Sequence, residues 1–387
     1  MKKFIYLCGM MLLSMNMMAQ IDLNDRNWEH VFYDDFTTAN RYWNASDWYS
    51  MPDLFWRARP ERHITHGSLE YQIYQYNHCQ FDVINGTMKL IAEYDNNDSI
   101  KYHNYALPDI LYGQYPNTYG QNDGLFYFSG EIDTRTRYRY GYFEIRCKLP
   151  THQGAFPAFW LYDAIGSGSN QFYEEIDIFE YTWSIAEIPN HLGNPSPHGI
   201  PDYYTFTTGI YFNDTSFEYT SYARNFPSLP LSGNDLSEWH TFSCEWLPEK
   251  VVWYCDGLIV NEFHQTQNIP HRPLTLKTDY AINKHYQHDG TIWQGPGIME
   301  IDHISVYQLK WDCDTDITIA SQSDLNNFDY AVKRSISITP TVGETTIGCN
   351  EKVTFRVNDS FEAIGPFTIE NGAEFTVIQQ ECPEPNN

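Results

Sequence analysis

The stretch that decides the fold is Phe172-Tyr173-Glu174-Glu175-Ile176-Asp177-Ile178-Phe179-Glu180-Tyr181. Acidic side chains alternate here with apolar ones, which is typical of a β-strand with one wet face and one buried face. On a regular strand Glu175 and Asp177 share a face, whereas Glu180 points to the other side. A β-bulge at Ile178-Phe179 adds one residue and returns Glu180 to the face of the other two. The sequence therefore predicts a bulged strand that presents three carboxylates on one side.

Three carboxylates on one face repel one another, and this crowding indicates a chemical use. It raises the pKa of at least one of them, so that a protonated acid stands beside an ionised one near neutral pH. Retaining glycosidases need two such carboxyls about 5–5.5 Å apart, one as nucleophile and one as proton donor. Spacing alone is a weak signal in a chain with 50 acidic residues. An ordinary solvated strand, however, would not carry Ile and Phe at the alternate positions.

The rest of the chain predicts an all-β sandwich or jelly roll. Short alternating runs separated by turn residues fit many β-strands and few helices, as at 87–92, 142–149, 251–255 and 303–307. The segment Leu247-Pro248-Glu249-Lys250 predicts a hairpin turn. Trp is absent after residue 311 and Thr, Ile and Val become frequent. We therefore expect a catalytic domain over residues 21–312 and a small β-rich C-terminal module over residues 313–387.

Residues 1–20 have the pattern of a cleaved export signal, with Lys2 and Lys3 followed by an apolar run. The protein is therefore expected to be periplasmic, cell-surface or secreted, with no membrane span. A formal net charge of −26 argues against a nucleic-acid partner. Of the eight cysteines, Cys147, Cys244 and Cys255 lie in strand-like stretches and are expected to be buried thiols. Cys349 and Cys382 are candidates for a disulfide in the tail.

The acid motif resembles the active-site signature of glycoside hydrolase family 16 in its bulged form, of the laminarinase, lichenase and agarase-like type. Six further segments resemble that family in the same order along the chain and extend the likeness over most of it. These segments are 31–36, 137–150, 154–161, 240–246, 253–257 and 299–307.

The resemblance implies a concanavalin-like β-jelly roll whose concave sheet forms an open glycan cleft. It implies that Glu175 is the nucleophile, Asp177 its assistant and Glu180 the acid/base catalyst. Trp160 would line the cleft near the cleaved bond. Further candidates for substrate binding are Trp56, Tyr181, Trp183 and His240.

Family members often bind a structural calcium ion, and the resemblance places it at Asp302 with backbone oxygens near Asp35 and Gly86. Oxygen ligands of this kind suit a hard cation, although Asp302 could equally cap a turn. No cofactor is expected to take part in the chemistry. We expect a monomer.

The sequence as a whole predicts a secreted, endo-acting, retaining glycoside hydrolase. Its expected substrate is a β-linked polysaccharide such as a β-1,3 or mixed-linkage glucan. A β-galactan of the agar or porphyran type, or a host glycan, is the alternative within the same family. An alternative of another class is a non-catalytic lectin on the same fold, which predicts the loss of one of the three acids. All three are present.

Overall fold

The computed structural model describes residues 21–37, 56–58, 63–64, 72–94, 127–152, 154–165, 172–184, 203–212, 217–224, 236–282 and 295–384. In these ranges nearly all regular structure is β-strand. The five-residue helix α1, Gln322–Asn326, is the only α-helix assigned there. No helix of the described part has the length and apolar character needed to cross a membrane.

Seven strands form the sheet that carries the acidic stretch, which we call the acid sheet. In chain order they are β2 (Trp56–Ala58), β8 (Glu131–Tyr138), β10 (Ala155–Ile165), β11 (Phe172–Ser184), β12 (Tyr203–Phe212), β13 (Phe217–Arg224) and β17 (Leu274–Ile282). Their order across the sheet is β13-β12-β11-β10-β17-β8-β2. The acidic strand β11 therefore lies inside the sheet, between two antiparallel neighbours.

The second sheet has eleven strands in the described part, and we call it the back sheet. Its strands are β1 (Trp28–Asp34), β3 (His63–Ile64), β4 (Gln72–Tyr74), β5 (Cys79–Asp82), β6 (Thr87–Tyr94), β7 (Tyr127–Ser129), β9 (Gly141–Lys148), β14 (His240–Leu247), β15 (Lys250–Cys255), β16 (Leu258–Phe263) and β18 (Gly297–Leu309). The four alternating runs named above lie in these strands, except that Leu149 follows the end of β9. The predicted hairpin is confirmed, because Leu247 pairs with Lys250 across the turn between β14 and β15.

The inner faces of the two sheets pack together into one hydrophobic core. It contains Ile176 and Phe179 from the acid sheet and Phe143, Phe242 and Trp253 from the back sheet, all essentially inaccessible to solvent. Burial of these side chains is the main favourable contribution to folding. The predicted all-β jelly-roll sandwich is confirmed. The three predicted buried thiols, Cys147, Cys244 and Cys255, are also confirmed.

The C-terminal part adds two parallel sheets. One contains β19 (Trp311–Ile319), β20 (Val332–Ile338), β22 (Lys352–Ala363) and β24 (Glu374–Gln379), and the other pairs β21 (Thr345–Ile347) with β23 (Phe367–Ile369). They share a separate small core. A third apolar cluster joins this module to the outer face of the back sheet through Tyr142, Tyr254, Leu309 and Val332. The exact domain limits stay a prediction.

The candidate pairing of Cys349 with Cys382 is not the one that forms. Cys382 forms its disulfide with Cys313, at the start of the module, and Cys349 is an exposed free thiol. Between two parallel strands the chain has to cross back to the starting end of the sheet. Cysteines that are far apart in sequence can therefore meet, and sequence distance does not predict the pair. The bond closes a loop with a sequence separation of 69.

Candidate active site

The predicted bulge is present in the acidic strand. Asp177 pairs with Gly209 of β12 and Glu180 with Thr207, so Ile178 and Phe179 together oppose a single residue. On the other side Asp177 pairs with Trp160 and Phe179 with Phe159, which leaves Ile178 as the extra residue. Because one residue is added, Glu180 returns to the side of Glu175 and Asp177. Ile178 and Phe179 are both in the core.

The three carboxylates differ in how far they are removed from water. Glu175 and Glu180 are half-buried, whereas Asp177 is only 1% exposed. Burial raises the pKa of Asp177 well above its ordinary value, and the charges of Glu180 and Glu175 raise it further. Asp177 also shares a side-chain hydrogen bond with Glu175. A protonated Asp177 can therefore donate to an ionised Glu175 and hold it in place.

The bulge is fixed from the opposite sheet. Trp253 of β15 reaches across the core, and its Nε1 donates to the backbone carbonyl of Asp177 at 2.8 Å. A bulge disrupts the regular ladder locally, and this bond gives a buried carbonyl at that point a partner. Trp253 is fully buried. It thus positions the acidic strand without lying on the face that carries the acids.

Trp160 lies beside the acids as the cross-strand partner of Asp177 and is only 6% exposed. Its contact with substrate stays a prediction. Its indole Nε1 donates to Asp279 Oδ1 at 2.7 Å, and the Lys277 ammonium lies 5.1 Å from the centre of its ring. Lys277 also pairs with Glu131 at 3.2 Å. The Tyr74 hydroxyl donates to the other oxygen of Asp279 at 2.7 Å. These contacts fix the ring of Trp160 firmly at the floor of the site.

Two tyrosines extend this aromatic surface next to Glu175. Tyr162 of β10 pairs with Glu175 in the strand register, and Tyr173 lies two positions before it on the same strand. Their ring centres are 6.4 Å apart in a stacked arrangement, and Tyr162 lies 5.4 Å from Trp160. Burial, followed by the charge of Glu175, raises the pKa of Tyr162. The Tyr162 hydroxyl therefore stays protonated over the neutral range and can donate a hydrogen bond.

Glu174 anchors the start of the acidic strand. It is fully buried, and its Oε2 accepts from the backbone N–H groups of His271 and Arg272, both at 2.9 Å. Its Oε1 accepts from Arg272 Nε at 2.9 Å. A buried carboxylate with this many donors is well compensated. Glu174 therefore links the acidic strand, one residue before Glu175, to the segment that precedes β17.

Two predicted substrate contacts are wrong because the residues are in the core. Trp56 is 1% exposed, packs between Phe32 and Phe36, and donates its indole N–H to Asp34 Oδ2 at 2.9 Å. Tyr181 follows Glu180 directly, so strand alternation turns it to the inner face, where it is fully buried. Tryptophan and tyrosine supply core volume as readily as sugar contacts.

His240 is not brought to the acids either. It begins β14 of the back sheet and its Nδ1 contacts Asp256 Oδ2 at 2.8 Å. It is therefore part of a polar pair at the beginning of β14, an interior strand of the back sheet. Trp183 lies on β11, but its side chain lies outside the described residues, and its role stays a prediction.

The candidate calcium ligands come together only in part. Gly86 has a φ of 64°, and a Cβ there would lie 3.4 Å from the Asp35 carbonyl oxygen, so these two residues are adjacent. Asp302 Oδ2, however, contacts Arg146 Nη1 and His303 Nδ1, both at 2.9 Å. A carboxylate oxygen that faces two nitrogen groups does not fit a cation ligand. Within the described ranges no group of three His, Cys, Asp or Glu side chains could hold a metal ion. Calcium binding stays a prediction.

Several residues of the site were missed from the sequence. The segment Thr275-Leu276-Lys277-Thr278-Asp279 alternates in a way that places residues 275, 277 and 279 on the face of the acids, and this signal could have been read. The roles of Trp253 and Glu174 depend on partners across the core and in a distant loop. Local sequence patterns do not predict contacts with such distant partners.

The fold and this bulged acid cluster define a class of β-sandwich proteins that act on glycans. The chain belongs to the glycosyl hydrolases family 16, whose sequence model matches residues 77–296.

Curated relatives are similar at modest identity. An endo-1,3-1,4-β-glycanase, EglC, of Rhizobium meliloti is 27% identical over 194 residues, which cover 50% of this chain and 36% of the relative. A κ-carrageenase of Pseudoalteromonas carrageenovora is 26% identical over 260 residues, covering 61% of this chain and 58% of the relative. The chain therefore spans less than two thirds of the length of these relatives. The catalytic domain of an endo-1,3-β-glucanase from Thermotoga petrophila aligns with a TM-score of 0.48 at 21% identity, over 73% of this chain and 98% of that one.

Proposed function

We propose that the protein is an exported, endo-acting glycoside hydrolase that cleaves a β-linked polysaccharide with retention of anomeric configuration. Glu180 protonates the departing glycosidic oxygen while Glu175 attacks the anomeric carbon and forms a glycosyl ester. Water that Glu180 deprotonates then cleaves this ester and releases the sugar. The mechanism uses no cofactor.

The observation that carries the proposal is the bulge that sets Asp177 between two half-buried glutamates. The raised pKa of Asp177, caused first by burial and then by the charges of Glu180 and Glu175, favours a protonated Asp177 that donates to Glu175. A hydrogen bond of this kind stabilises the ionised form of Glu175, which is the form that a nucleophile needs. Glu180, two strand positions and a bulge away from Asp177, then carries the exchangeable proton.

A β-1,3 or mixed-linkage glucan is the substrate we propose first. The similarity to the endo-1,3-1,4-β-glycanase supports it, as do the half-buried rings of Tyr162 and Tyr173, on which a sugar ring can stack. The similarity to a κ-carrageenase supports a β-galactan as the second candidate. We further propose that residues 1–20 direct export, that the protein acts as a monomer, and that nucleic acids are not partners.

Reducing-sugar release from a panel of polysaccharides tests the proposal. The panel contains laminarin, mixed-linkage glucan, agarose, porphyran, carrageenan and mucin-type glycans. We expect release from one class, and a fall of at least about 10³-fold for Glu175→Gln, since loss of a nucleophile removes the covalent route. Glu362→Gln, an exposed residue of the C-terminal module, is the matched control and should keep full activity.

The anomeric form of the first product distinguishes the mechanism. Proton NMR during the reaction should show the β-anomer first, followed by slow mutarotation. Initial release of the α-anomer would contradict Glu175 as nucleophile. A folded protein that binds one of these glycans but releases no sugar would favour the lectin alternative.

A further inference from the structure

A chain of buried hydrogen bonds links the back sheet to the acid sheet beside the carboxylates. It begins at Gln72 of β4, whose Nε2 donates to the Tyr74 hydroxyl at 3.0 Å. The Tyr74 hydroxyl donates to Asp279 Oδ2 at 2.7 Å, and Trp160 Nε1 donates to Asp279 Oδ1 at 2.7 Å. The exposed fractions of these four residues lie between 0% and 6%. A strand of the back sheet is thus connected to two strands of the acid sheet, β17 and β10.

The far end of this hydrogen-bond chain is fixed by the backbone. Gln72 Oε1 accepts from the backbone N–H of Ile282, the last residue of β17, at 2.8 Å. Strand β4 pairs with β7, where Tyr74 lies opposite Ser129. The side-chain amide and the strand pairing together hold the Tyr74 hydroxyl at a fixed point next to Asp279.

Asp279 is the member of the chain that carries a charge at neutral pH. Its carboxylate is only 3% exposed, and a buried charge needs hydrogen-bond donors to offset its loss of water. The bonds that it accepts from Tyr74 and Trp160 are both short, as charge-assisted bonds are. Without the Tyr74 hydroxyl, Oδ2 would lose one donor. The carboxylate would then turn toward other donors, and its bond to Trp160 would weaken.

Two members of the chain act on Asp177. Trp160 is the cross-strand partner of Asp177 on β10. The pKa of Asp177, which is raised first by burial and then by the charges of Glu180 and Glu175, is raised further by the charge of Asp279. The positions of the Trp160 ring and of the Asp279 carboxylate therefore both affect the surroundings of Asp177.

We propose that Tyr74 is a positioning residue for the reaction. It acts through Asp279 to hold Trp160, which in turn borders Asp177. Because Tyr74 is fully buried, it does not touch substrate, and loss of its hydroxyl should lower kcat and leave KM nearly unchanged. This proposal rests on the hydrolase function proposed above, and adds to it a residue from the sheet that does not carry the acids.

Steady-state kinetics of Tyr74→Phe test the proposal on the glycan that the unmodified protein cleaves. The variant keeps the ring and removes only the hydroxyl. Because one buried hydrogen bond is lost, kcat should fall by about tenfold with little change in KM. Tyr142→Phe is the matched control, since Tyr142 is 1% exposed and its hydroxyl donates to Ser243 Oγ at 2.7 Å on the outer side of the back sheet. The control should lose stability and keep its kcat, and equal kcat values for the two variants would overturn the proposal.

A double-mutant cycle with Trp160→Phe shows whether Tyr74 acts through Trp160. If it does, the variant that carries both changes should lose no more activity than Trp160→Phe alone. Fold losses that multiply would mean that the two residues act independently, and would contradict the proposal.

NMR of the indole N–H groups tests the hydrogen-bond chain without any glycan. The signal of Trp160 Nε1–H, assigned by its absence in Trp160→Phe, should shift in Tyr74→Phe and stay in place in Tyr142→Phe. An unmoved signal in the folded Tyr74→Phe variant would overturn the proposal. A shifted signal in a protein that cleaves no glycan would instead mean that the hydrolase function is wrong while Tyr74 still positions Trp160.

Discussion

The two outer faces of the sandwich differ in composition and in covering. The back sheet turns Tyr142, Tyr254 and Leu309 outward, and the C-terminal module covers them with Val332 and its neighbours. The acid sheet turns outward a cluster of carboxylates, one of them almost fully buried. Covering an apolar face stabilises the fold, whereas crowding and burying carboxylates does the reverse. The outer face of the acid sheet lowers the stability of the fold, and it is the face on which we expect the reaction to take place.

This contrast predicts that changes on the acid face reduce activity and spare stability, with the largest effect at the catalytic glutamates. Glu180→Gln should lower kcat by 10²–10⁴-fold, the usual contribution of a general acid–base group. Its melting temperature should stay nearly equal, because Gln has the shape and the neutral charge of the protonated Glu180. Steady-state kinetics and calorimetry on the same preparation measure both. A large fall in melting temperature would contradict the contrast.

Changes on the covered face should show the opposite behaviour. Replacing both Cys313 and Cys382 by Ser opens a loop of 69 residues in sequence separation, and the chain-entropy relation gives a loss of roughly 4 kcal/mol in unfolding free energy. Activity at low temperature should remain, since the bond lies away from Glu175. Cys349→Ser, an exposed free thiol, is the matched control. Equal denaturant midpoints for the two variants would contradict this prediction.

Asp177 is expected to affect both stability and activity, and its effect on stability depends on pH. Its pKa is raised in the folded protein, so the folded state holds a proton that the unfolded state has already lost. The stability of the folded state therefore falls as the pH rises from the ordinary Asp pKa toward the raised one. Asp177→Asn cannot ionise and should flatten this decline, while kcat falls by about tenfold or more because Glu175 loses its carboxyl partner. Thermal melts across a pH series test the first effect. A slope equal to that of the unmodified protein would sink the assignment of a raised pKa.

The smallest effect on activity is expected for Trp253, which lies in the core between the two sheets. Trp253→Phe keeps most of the core volume but removes the donor to the Asp177 carbonyl. Loss of one buried hydrogen bond costs about 1–3 kcal/mol. If Trp253 positions the bulge, kcat should fall several-fold while KM changes little. The matched control, Trp246→Phe, removes a similar core donor, which bonds to Pro270, and should lower stability alone. A kcat equal to that of the control would show that Trp253 only packs in the core and does not position the bulge.

Much of this architecture was open to prediction from local patterns. The alternation around Glu175 and the spacing to Glu180 together imply the bulge, because only an added residue keeps the three acids on one face. The same reasoning failed for Trp56 and Tyr181, since aromatic type does not tell a core residue from a sugar contact. Residues that act across the sandwich, such as Trp253, were also missed. Their partners are distant in sequence, and strand periodicity carries no information about them.

The bond between Cys313 and Cys382 has a consequence for proteolysis. A single cut at any peptide between these two residues leaves the fragments covalently joined, so nothing is released until the disulfide is reduced. The covering of the back sheet can therefore survive a nick in one of the loops of the module. A protease would have to cut twice within this loop to remove a piece of the module, or once before residue 313 to break its covalent link to the sandwich.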